Sequence, residues 1–218
     1  MTTVAHDLRS PISNLSGLLE LIQFSEDQDE IHDYTRKAKM TLSRMNILVN
    51  DYLNFEAIKK GSFTLEKRDV ELKVFEISLT DYLESEARAK GVSFQVNTDF
   101  KNPTAFFDSD RMQQVVINLF TNALKFSQRG GSIHLDLFSD DKEVIIKVRD
   151  EGQGIKEDEL ATIFNAFQKS TTKSTEGETG FGLGLSIVNK IVDVHQGKVE
   201  VESEWGKGSV FTVRIPNQ

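Results

Sequence analysis

The uneven distribution of glycine limits what this chain can fold into more than any other feature. Of its 14 glycines, three lie before residue 130 and eleven from Gly130 onward. Glycine destabilises helices and supplies the backbone conformations that tight turns need. The first half is therefore predicted to be mainly helical, and the second to consist of strands, tight turns and a flexible loop.

Two amphipathic helices are predicted before Gly61. Apolar residues recur at three- and four-residue steps over residues 3–24 and again over residues 30–59, so each set lies along one stripe of a helix. Polar residues 25–29 separate the helices, and a short connection of this kind produces an antiparallel hairpin. The two predicted stripes are Val4, Leu8, Ile12, Leu15, Leu19 and Ile22, and Ile31, Tyr34, Ala38, Leu42, Met45, Val49 and Tyr52.

A single hairpin has too little partner surface to bury both stripes, so we expect two copies to pair in a four-helix bundle. From residue 63 the pattern alternates between strands and helices. We predict an α+β chain with two domains, a helical hairpin over residues 1–61 and an α/β sandwich over residues 62–218. The predicted strands are 63–70, 92–97, 105–108, 132–138, 144–149, 198–203 and 208–215, and the predicted helices are 71–90, 109–126 and 181–194.

Composition excludes several classes of protein. With 26 basic and 34 acidic residues the formal net charge is −8, which disfavours binding to nucleic acid or anionic membranes. The absence of cysteine excludes disulfides, thiol catalysis and cysteine-ligated zinc. No apolar run approaches the roughly 20 residues that cross a bilayer, and no signal peptide begins the chain, so we expect a cytoplasmic protein with no membrane contact from this segment.

His6 is predicted to face away from the core of the first helix. It lies two residues from Val4, which places it about 200° around the helix from the apolar stripe. Pro11 inside the same helix costs about 3 kcal/mol and leaves the Asp7 carbonyl without its usual donor. An exposed imidazole beside a carboxylate is suited to act as a nucleophile, and Asp7 could either accept its proton or fix its tautomer.

Two polar groups in the second half are candidates for binding a nucleotide. Asn118, Asn122 and Lys125 lie at i, i+4 and i+7, on one flank of a predicted helix. They form either a solvated polar face or a set of ligands for hydrated Mg²⁺ and a triphosphate. Asp150 follows a buried strand and precedes Gly152 and Gly154, so its carboxylate could accept a hydrogen bond from the adenine amine. This short motif also occurs in ordinary turns.

Gly180, Gly182 and Gly184 directly precede a helix, where backbone N–H groups and the helix dipole favour phosphate. Residues 169–178 contain no bulky apolar side chain, so we predict a mobile lid over bound nucleotide. The spacing matches neither a P-loop nor a Rossmann fingerprint.

Taken together, these segments resemble the catalytic core of two-component sensor histidine kinases, which contains a Bergerat-type ATP-binding domain. The sequence Ala-His-Asp-Leu-Arg-Ser-Pro-Ile at residues 5–12 resembles the H-box of that family. The further resemblances are residues 118–127 to the N-box, 150–154 to the G1 box, 163–167 to the F-box and 180–185 to the G2 box.

The resemblance implies that His6 is the phosphoacceptor, that Asp7 is its acid, base or orienting group, and that Ser10 has a candidate phosphatase role. It implies that Asn122 is the Mg²⁺ ligand and that Asp150 forms the hydrogen bond that recognises adenine. The implied ATP-binding residues are Asn118, Asn122, Lys125, Asp150, Gly152, Gly154, Ile155, Phe167, Gly180, Phe181, Gly182, Leu183, Gly184 and Leu185.

The implied function is ATP-dependent autophosphorylation of His6 in a homodimer, followed by transfer to an aspartate of a response-regulator receiver domain. One alternative is a Bergerat-fold ATPase of the gyrase, Hsp90 or mismatch-repair type, or a related serine kinase. Those ATPases carry a glutamate base in the N-box helix, whereas residues 113–122 contain no acid. The other alternative is a non-catalytic dimeric scaffold or phosphorelay adaptor.

Overall fold

The computed structural model describes residues 2–60, 63–168, 174–175 and 182–217. The chain divides into two compact units, Met1–Phe63 and Thr64–Gln218. The first is helical and the second combines helices with two sheets, so the predicted α+β class is confirmed. Among the described residues, no helix has both the length and the apolar content that crossing a membrane requires.

The first unit is a hairpin of two long helices, α1 (Thr2–Phe24) and α2 (Gln28–Lys59). The connection between them fixes where α2 begins. Oδ1 of Asp27 accepts hydrogen bonds from the backbone N–H groups of Asp29, at 2.8 Å, and Glu30, at 3.4 Å, and so caps the helix. The two acidic residues also favour the positive end of the helix dipole.

The predicted apolar stripes of the hairpin are only partly correct. Leu18 and Leu48, which belong to neither predicted stripe, are buried, whereas Ile12 and Leu19 are 49% and 55% exposed. The prediction holds at other positions, since Ala38 is buried and Leu15 and Met45 are half-buried. Leu18 and Leu48 were missed because both helices carry more apolar residues than one seam can use. A second apolar face stays exposed on the hairpin of one chain.

The second unit is built on a five-stranded sheet. Strand order is β2-β4-β5-β7-β6, and β1 pairs with β3 in a separate two-stranded sheet. The β2–β4 pair is parallel and every other pair is antiparallel. The elements are β1 (Arg68–Glu71), α3 (Leu72–Lys90), β2 (Ser93–Phe100), β3 (Thr104–Phe107), α4 (Ser109–Phe126), β4 (Ser132–Ser139), β5 (Glu143–Asp150), α5 (Glu157–Leu160), α6 (Gly184–Val194), β6 (Lys198–Glu204) and β7 (Gly208–Pro216).

Helix α4 has the bounds that the sequence predicts, and both of its ends are capped. The Asp108 carboxylate accepts a hydrogen bond from the Arg111 N–H at 3.1 Å. The Asp108 N–H donates to Nε2 of His195 at 3.1 Å, which ties the start of α4 to the end of α6. Because Nε2 accepts this bond, the proton lies on Nδ1, which donates to the Ile191 carbonyl at 2.8 Å. Burial lowers the pKa of His195 and so favours this neutral ring. This arrangement fixes the start of α4 against the end of α6.

Two predicted bounds in the second unit are wrong, and one helix was missed. Of the predicted strand 63–70, only residues from Arg68 onward pair, because the partner β3 has four residues. The helix predicted from residue 181 begins at Gly184 within the described residues. Helix α5 was not predicted, because its single turn is too short for an apolar period.

Candidate functional site

Helix α1 carries the predicted phosphoacceptor segment. The helix continues through Pro11, so the proline lies inside it rather than at an end. For residues 2–7 only the backbone is described, and the side chains of His6 and Asp7 lie outside the described part of the structure. The outward direction of the His6 ring therefore stays a prediction. Ser10 is exposed on the same helix.

Three polar residues of α4 lie on consecutive turns of one flank. Asn118, Asn122 and Lys125 are half-buried, beside a stripe of fully buried apolar residues. The side-chain amide of Asn118 donates to the Gly184 carbonyl at 3.5 Å, so α4 meets the first turn of α6. Asn122 makes no side-chain hydrogen bond within the described residues. Its amide oxygen is therefore available to a ligand.

Asp150 is a buried carboxylate at the end of β5. Its exposure is 6%, and burial raises its pKa from 3.8 to about 6 because the charged form is poorly solvated there. Backbone N–H groups of Gly152, at 2.9 Å from Oδ1, and of Ser209 donate to it and partly offset that effect. At neutral pH the carboxylate is ionised and retains acceptor capacity for a ligand amine.

The two glycines after Asp150 are required by close backbone approach. A Cβ on Gly152 would lie 2.7 Å from the Phe126 carbonyl oxygen at the end of α4. A Cβ on Gly154 would lie 2.2 Å from the Glu204 carbonyl oxygen, and Gly154 also has a φ of +70°, which side chains rarely tolerate. The loop is thus held between α4 on one side and the β6–β7 turn on the other.

The β6–β7 turn completes that side of the loop. The Ile155 N–H donates to Oγ of Ser203 at 2.8 Å. Trp205, which is 50% exposed, lies in the turn beside the loop, and the Lys156 ammonium lies 5.4 Å from the centre of its ring. Ile155 is therefore positioned by its backbone and is half-buried.

The F-box and G2 segments are joined by backbone contact. The Phe167 N–H donates to the Gly182 carbonyl at 2.8 Å. Both residues have a positive φ, 64° and 71°. A Cβ on Gly182 would lie 2.5 Å from the Gln168 carbonyl oxygen, so only glycine fits there.

The first turn of α6 follows directly. Leu183 is buried, while Gly184 and Leu185 are half-buried, so the leucine anchors the helix start in the core. Gly180 and Phe181, which the sequence also predicts as nucleotide ligands, lie outside the described residues. Of the predicted lid at 169–178, only residues 174–175 are described.

The C-terminal end of α4 makes contacts that the sequence did not indicate. Nζ of Lys90, a buried residue at the end of α3, donates to Oγ1 of Thr175 at 2.8 Å. The Thr175 N–H donates to the Lys125 carbonyl at 3.2 Å. The Gln153 N–H donates to the Phe126 carbonyl at 3.3 Å. These carbonyls lack helical partners, and so the end of α4 attracts both loops.

Most of the predicted nucleotide-binding residues therefore come together around α4. The N-box residue Asn118 contacts the start of α6, and the G1 loop contacts the last turn of α4. The G2 segment is joined to the F-box at Phe167. His6, Asp7 and Ser10 belong to the other unit.

The site fits a nucleotide that carries Mg²⁺. The described residues contain no group of three or more His, Cys, Asp or Glu side chains that could hold a metal ion alone. Mg²⁺ usually keeps several waters and takes one or two protein ligands together with substrate phosphates. The Asn122 amide, which makes no side-chain hydrogen bond to the described part of the chain, can supply one oxygen, and the N-terminal end of α6 favours anions.

Two family models match the chain. The model of the histidine kinase-, DNA gyrase B- and HSP90-like ATPases matches residues 107–218, which include every nucleotide-binding residue predicted above. The model of the His Kinase A (phospho-acceptor) domain matches residues 1–61, which include His6.

Individual proteins are similar over nearly the whole chain. The sensor histidine kinase YclK of Bacillus subtilis is 34% identical over 216 residues, which cover 98% of this chain and 45% of YclK. The solved structure of histidine kinase ThkA in complex with response regulator protein TrrA has 27% identity and a TM-score of 0.75, covering 99% of this chain and 60% of that one. Full-length ShkA in complex with AMPPNP has 26% identity and a TM-score of 0.73, covering 99% and 45%. The chain spans less than half the length of the curated relatives that it matches.

Proposed function

The chain belongs to the family of two-component sensor histidine kinases, and from that membership we propose that it transfers the γ-phosphoryl group of ATP to His6. The phosphoryl group then passes to an aspartate of a response-regulator receiver domain. We assign phosphoacceptance to the hairpin, residues 1–61, and nucleotide binding to residues 62–218.

The observation that carries this proposal is the convergence of separate segments on α4. Asn118 contacts Gly184 at 3.5 Å, and Gln153 contacts the Phe126 carbonyl at 3.3 Å. Amide, carboxylate and glycine-rich groups that lie far apart in sequence thus surround one helix. This combination suits adenine and phosphates, and AMPPNP, an ATP analogue, is bound by the similar protein ShkA.

Asp150 is the proposed adenine-binding group. Its buried carboxylate accepts hydrogen bonds only, so it selects a base whose edge donates from an exocyclic amine. Adenine has that amine, whereas guanine presents a carbonyl at the corresponding position. Gly152 and Gly154 let the backbone approach the flat face of the base.

Asn122 is the proposed Mg²⁺ ligand, with Asn118 and Lys125 near the phosphates. Mg²⁺ neutralises charge on the triphosphate when it is bound. The ammonium of Lys125 and the N-terminal N–H groups of α6 add positive charge on the same side, as phosphoryl transfer requires. Gly182 and Gly184, with Phe167 joined to Gly182 and Leu183 buried in the core, fix the position of those N–H groups, and Leu185 follows in the first turn of α6.

His6 is the proposed nucleophile. One ring nitrogen forms a bond to the γ-phosphorus while the bond from that phosphorus to the bridging oxygen breaks, and ADP leaves. Asp7 accepts the proton of the other ring nitrogen or holds it in place. Ser10, which is exposed on the same helix, is the candidate for a phosphatase role, in which its hydroxyl would orient a water that hydrolyses the transferred phosphoryl group.

The proposed partners are a second copy of this chain and a receiver domain. The exposed apolar face of the hairpin supports pairing of two hairpins in a four-helix bundle. The complex of the similar kinase ThkA with the response regulator TrrA supports the receiver domain as phosphoryl acceptor.

The test is incubation of the protein with Mg²⁺ and γ-labelled ATP. We expect protein-bound label that resists base and is lost in acid, as phosphohistidine is. His6→Gln should lose the label and keep nucleotide affinity, whereas His32→Gln, an exposed histidine of the same hairpin, should keep both. Label retained by the His6 variant contradicts the assignment, and phosphate release without protein-bound label favours the ATPase alternative.

A further inference from the structure

A lysine is buried where α3 ends against α4. Lys90 is 7% exposed, and its Nζ donates to the Leu124 carbonyl at 2.7 Å and to Oγ1 of Thr175 at 2.8 Å. A buried ammonium is costly unless its donors find acceptors. The last carbonyls of α4 provide them at the negative end of the helix dipole. Lys90 therefore fits this position only while those acceptors stay in place.

Thr175 uses both of its polar groups at the same place. Its N–H donates to the Lys125 carbonyl at 3.2 Å. Its hydroxyl accepts from Lys90 and lies 3.0 Å from the Ser127 carbonyl and 3.1 Å from the Lys125 carbonyl, either of which can take its proton. A residue in the middle of a long connection is thereby fixed to the end of a core helix.

We propose that Lys90 and Thr175 are positioning residues of the nucleotide site. Their contacts fix Thr175 and the end of α3 against the last turn of the helix that carries Asn122. The proposal rests on ATP binding at this site, as proposed above, and adds two residues that contact neither the base nor the phosphates.

The physical reason is that Lys90 and Thr175 occupy the carbonyl groups at the end of α4. The Leu124 carbonyl accepts from Lys90 and the Lys125 carbonyl from the Thr175 N–H, while the adjacent Phe126 carbonyl accepts from Gln153 of the G1 loop. Removing the Thr175 hydroxyl leaves the buried ammonium with fewer acceptors and so holds the last turn of α4 less firmly. The attachment involves the carbonyl of Lys125, one turn beyond Asn122, and therefore lies beside the proposed phosphate contacts.

The test compares two variants of Thr175 in the whole chain. Thr175→Val keeps the shape and removes the hydroxyl, whereas Thr175→Ser keeps the hydroxyl. We expect calorimetry with Mg·AMPPNP to show affinity about 2- to 10-fold weaker for the valine variant, because the last turn of α4 and the buried ammonium lose a hydrogen-bonding partner. The serine variant and Ser174→Ala, which removes the neighbouring hydroxyl, should stay within about twofold of the unmodified protein.

A second variant identifies the partner of the hydroxyl. Lys90→Met removes the ammonium, and its effect on affinity should add only in part to that of Thr175→Val, because both remove the Lys90–Thr175 contact while Lys90 also donates to the Leu124 carbonyl. Fully additive effects contradict the proposal. So do equal affinities of the valine and serine variants, or a lower unfolding midpoint of nucleotide-free Thr175→Val without any change in affinity.

Hydrogen exchange tests the attachment without any substitution. The Thr175 N–H should be protected in the nucleotide-free protein, because it donates to Lys125, and exchange at the rate of a free peptide overturns the proposal. Failure of the unmodified protein to bind Mg·AMPPNP is a different result, since it contradicts the proposed function itself.

Discussion

The hairpin and the nucleotide-binding unit differ in how completely they bury their apolar side chains. Among the described residues, three apolar side chains of the hairpin are buried, against 29 in the second unit. Of the large apolar side chains whose burial is described, eight are exposed on the hairpin and five on the second unit, although the second unit is more than twice as long.

This difference shows that the two units depend on their surroundings to different degrees. The nucleotide-binding unit has a closed core of helices on a sheet and needs no further partner to bury it. The hairpin has one internal seam and a second apolar face, so its stability depends on a partner surface. A change in the packing of the hairpin can therefore leave the core of the second unit intact.

The largest expected effect separates the two units by function. Asn122→Ala should lower autophosphorylation by about 100-fold or more, together with Mg·ATP affinity, because the proposed metal ligand is lost. His6→Gln in the hairpin should abolish phosphorylation and leave affinity unchanged. Filter binding and calorimetry measure the two properties, with Gln128→Ala, an exposed amide just beyond α4, as control. Normal labelling of the Asn122 variant would refute its role.

The next effect contrasts packing in the two units. Gly154→Ala should destabilise the protein by about 3 kcal/mol or more, because the new Cβ would meet the Glu204 carbonyl at a positive φ. Gly206→Ala, at a φ of +85° with open space, should cost only about 1–2 kcal/mol. Gly17→Ala in the middle of α1 should stabilise by about 0.5–1 kcal/mol. Urea unfolding measures all three, and equal effects at 154 and 206 would contradict the close contact.

A third effect tests the exposed face of the hairpin. Leu19 on α1 and Ile77 on α3 are matched at 55% and 56% exposure. Leu19→Ser should weaken dimerisation by about 10- to 100-fold, because it removes apolar area from the proposed dimer interface. Ile77→Ser should leave the monomer–dimer equilibrium unchanged. Sedimentation over a concentration series measures this equilibrium, and equal behaviour of the two variants contradicts the proposed interface.

The smallest expected effect concerns the folding free energy that is lost by burying the ionised carboxylate of Asp150. Folding raises the pKa of Asp150 from 3.8 to about 6, so the folded protein is destabilised when this carboxyl ionises. The loss of stability is absent below pH 3.8, grows as the pH rises, and is complete above pH 6. Asp150→Asn should therefore be more stable by about 1–2 kcal/mol at pH 8, less than the full shift implies, because the amide loses the Ser209 hydrogen bond.

That advantage should shrink as the pH falls through 6, while nucleotide binding is lost at every pH. Urea unfolding of both proteins at pH 5 and pH 8 measures the difference. A variant that is less stable than the unmodified protein at pH 8 contradicts the assigned cost of burial.

Elements whose ends are set by neighbouring residues in the sequence were predictable. Helix α4 has a buried apolar stripe and a capping aspartate, Asp108, so its bounds follow from local chemistry. Strand β1 was predicted too long because its extent depends on β3, which lies more than 30 residues away. In the hairpin, periodicity alone could not distinguish the internal seam from the second apolar face, and Leu18 was therefore missed.

In the candidate site too, local motifs were predictable from the sequence, whereas contacts between residues far apart in the chain were not. Asn118, Asp150 and Gly154 were predictable because each lies in a short motif whose chemistry is readable locally. The contact of Lys90 with Thr175 joins residues 85 positions apart, and a lysine at a helix end is ordinarily solvated. Only the three-dimensional arrangement shows that its ammonium is buried against the end of α4.

Trp205 makes the nucleotide site observable without a label. It is the only tryptophan of the chain, and its indole lies in the turn that presses on Gly154. Half of its surface is in water, so its fluorescence emission responds to changes in local polarity. Because the hairpin contains no tryptophan, a spectral change on adding ATP would report on the adenine side of the second unit, independently of phosphorylation at His6.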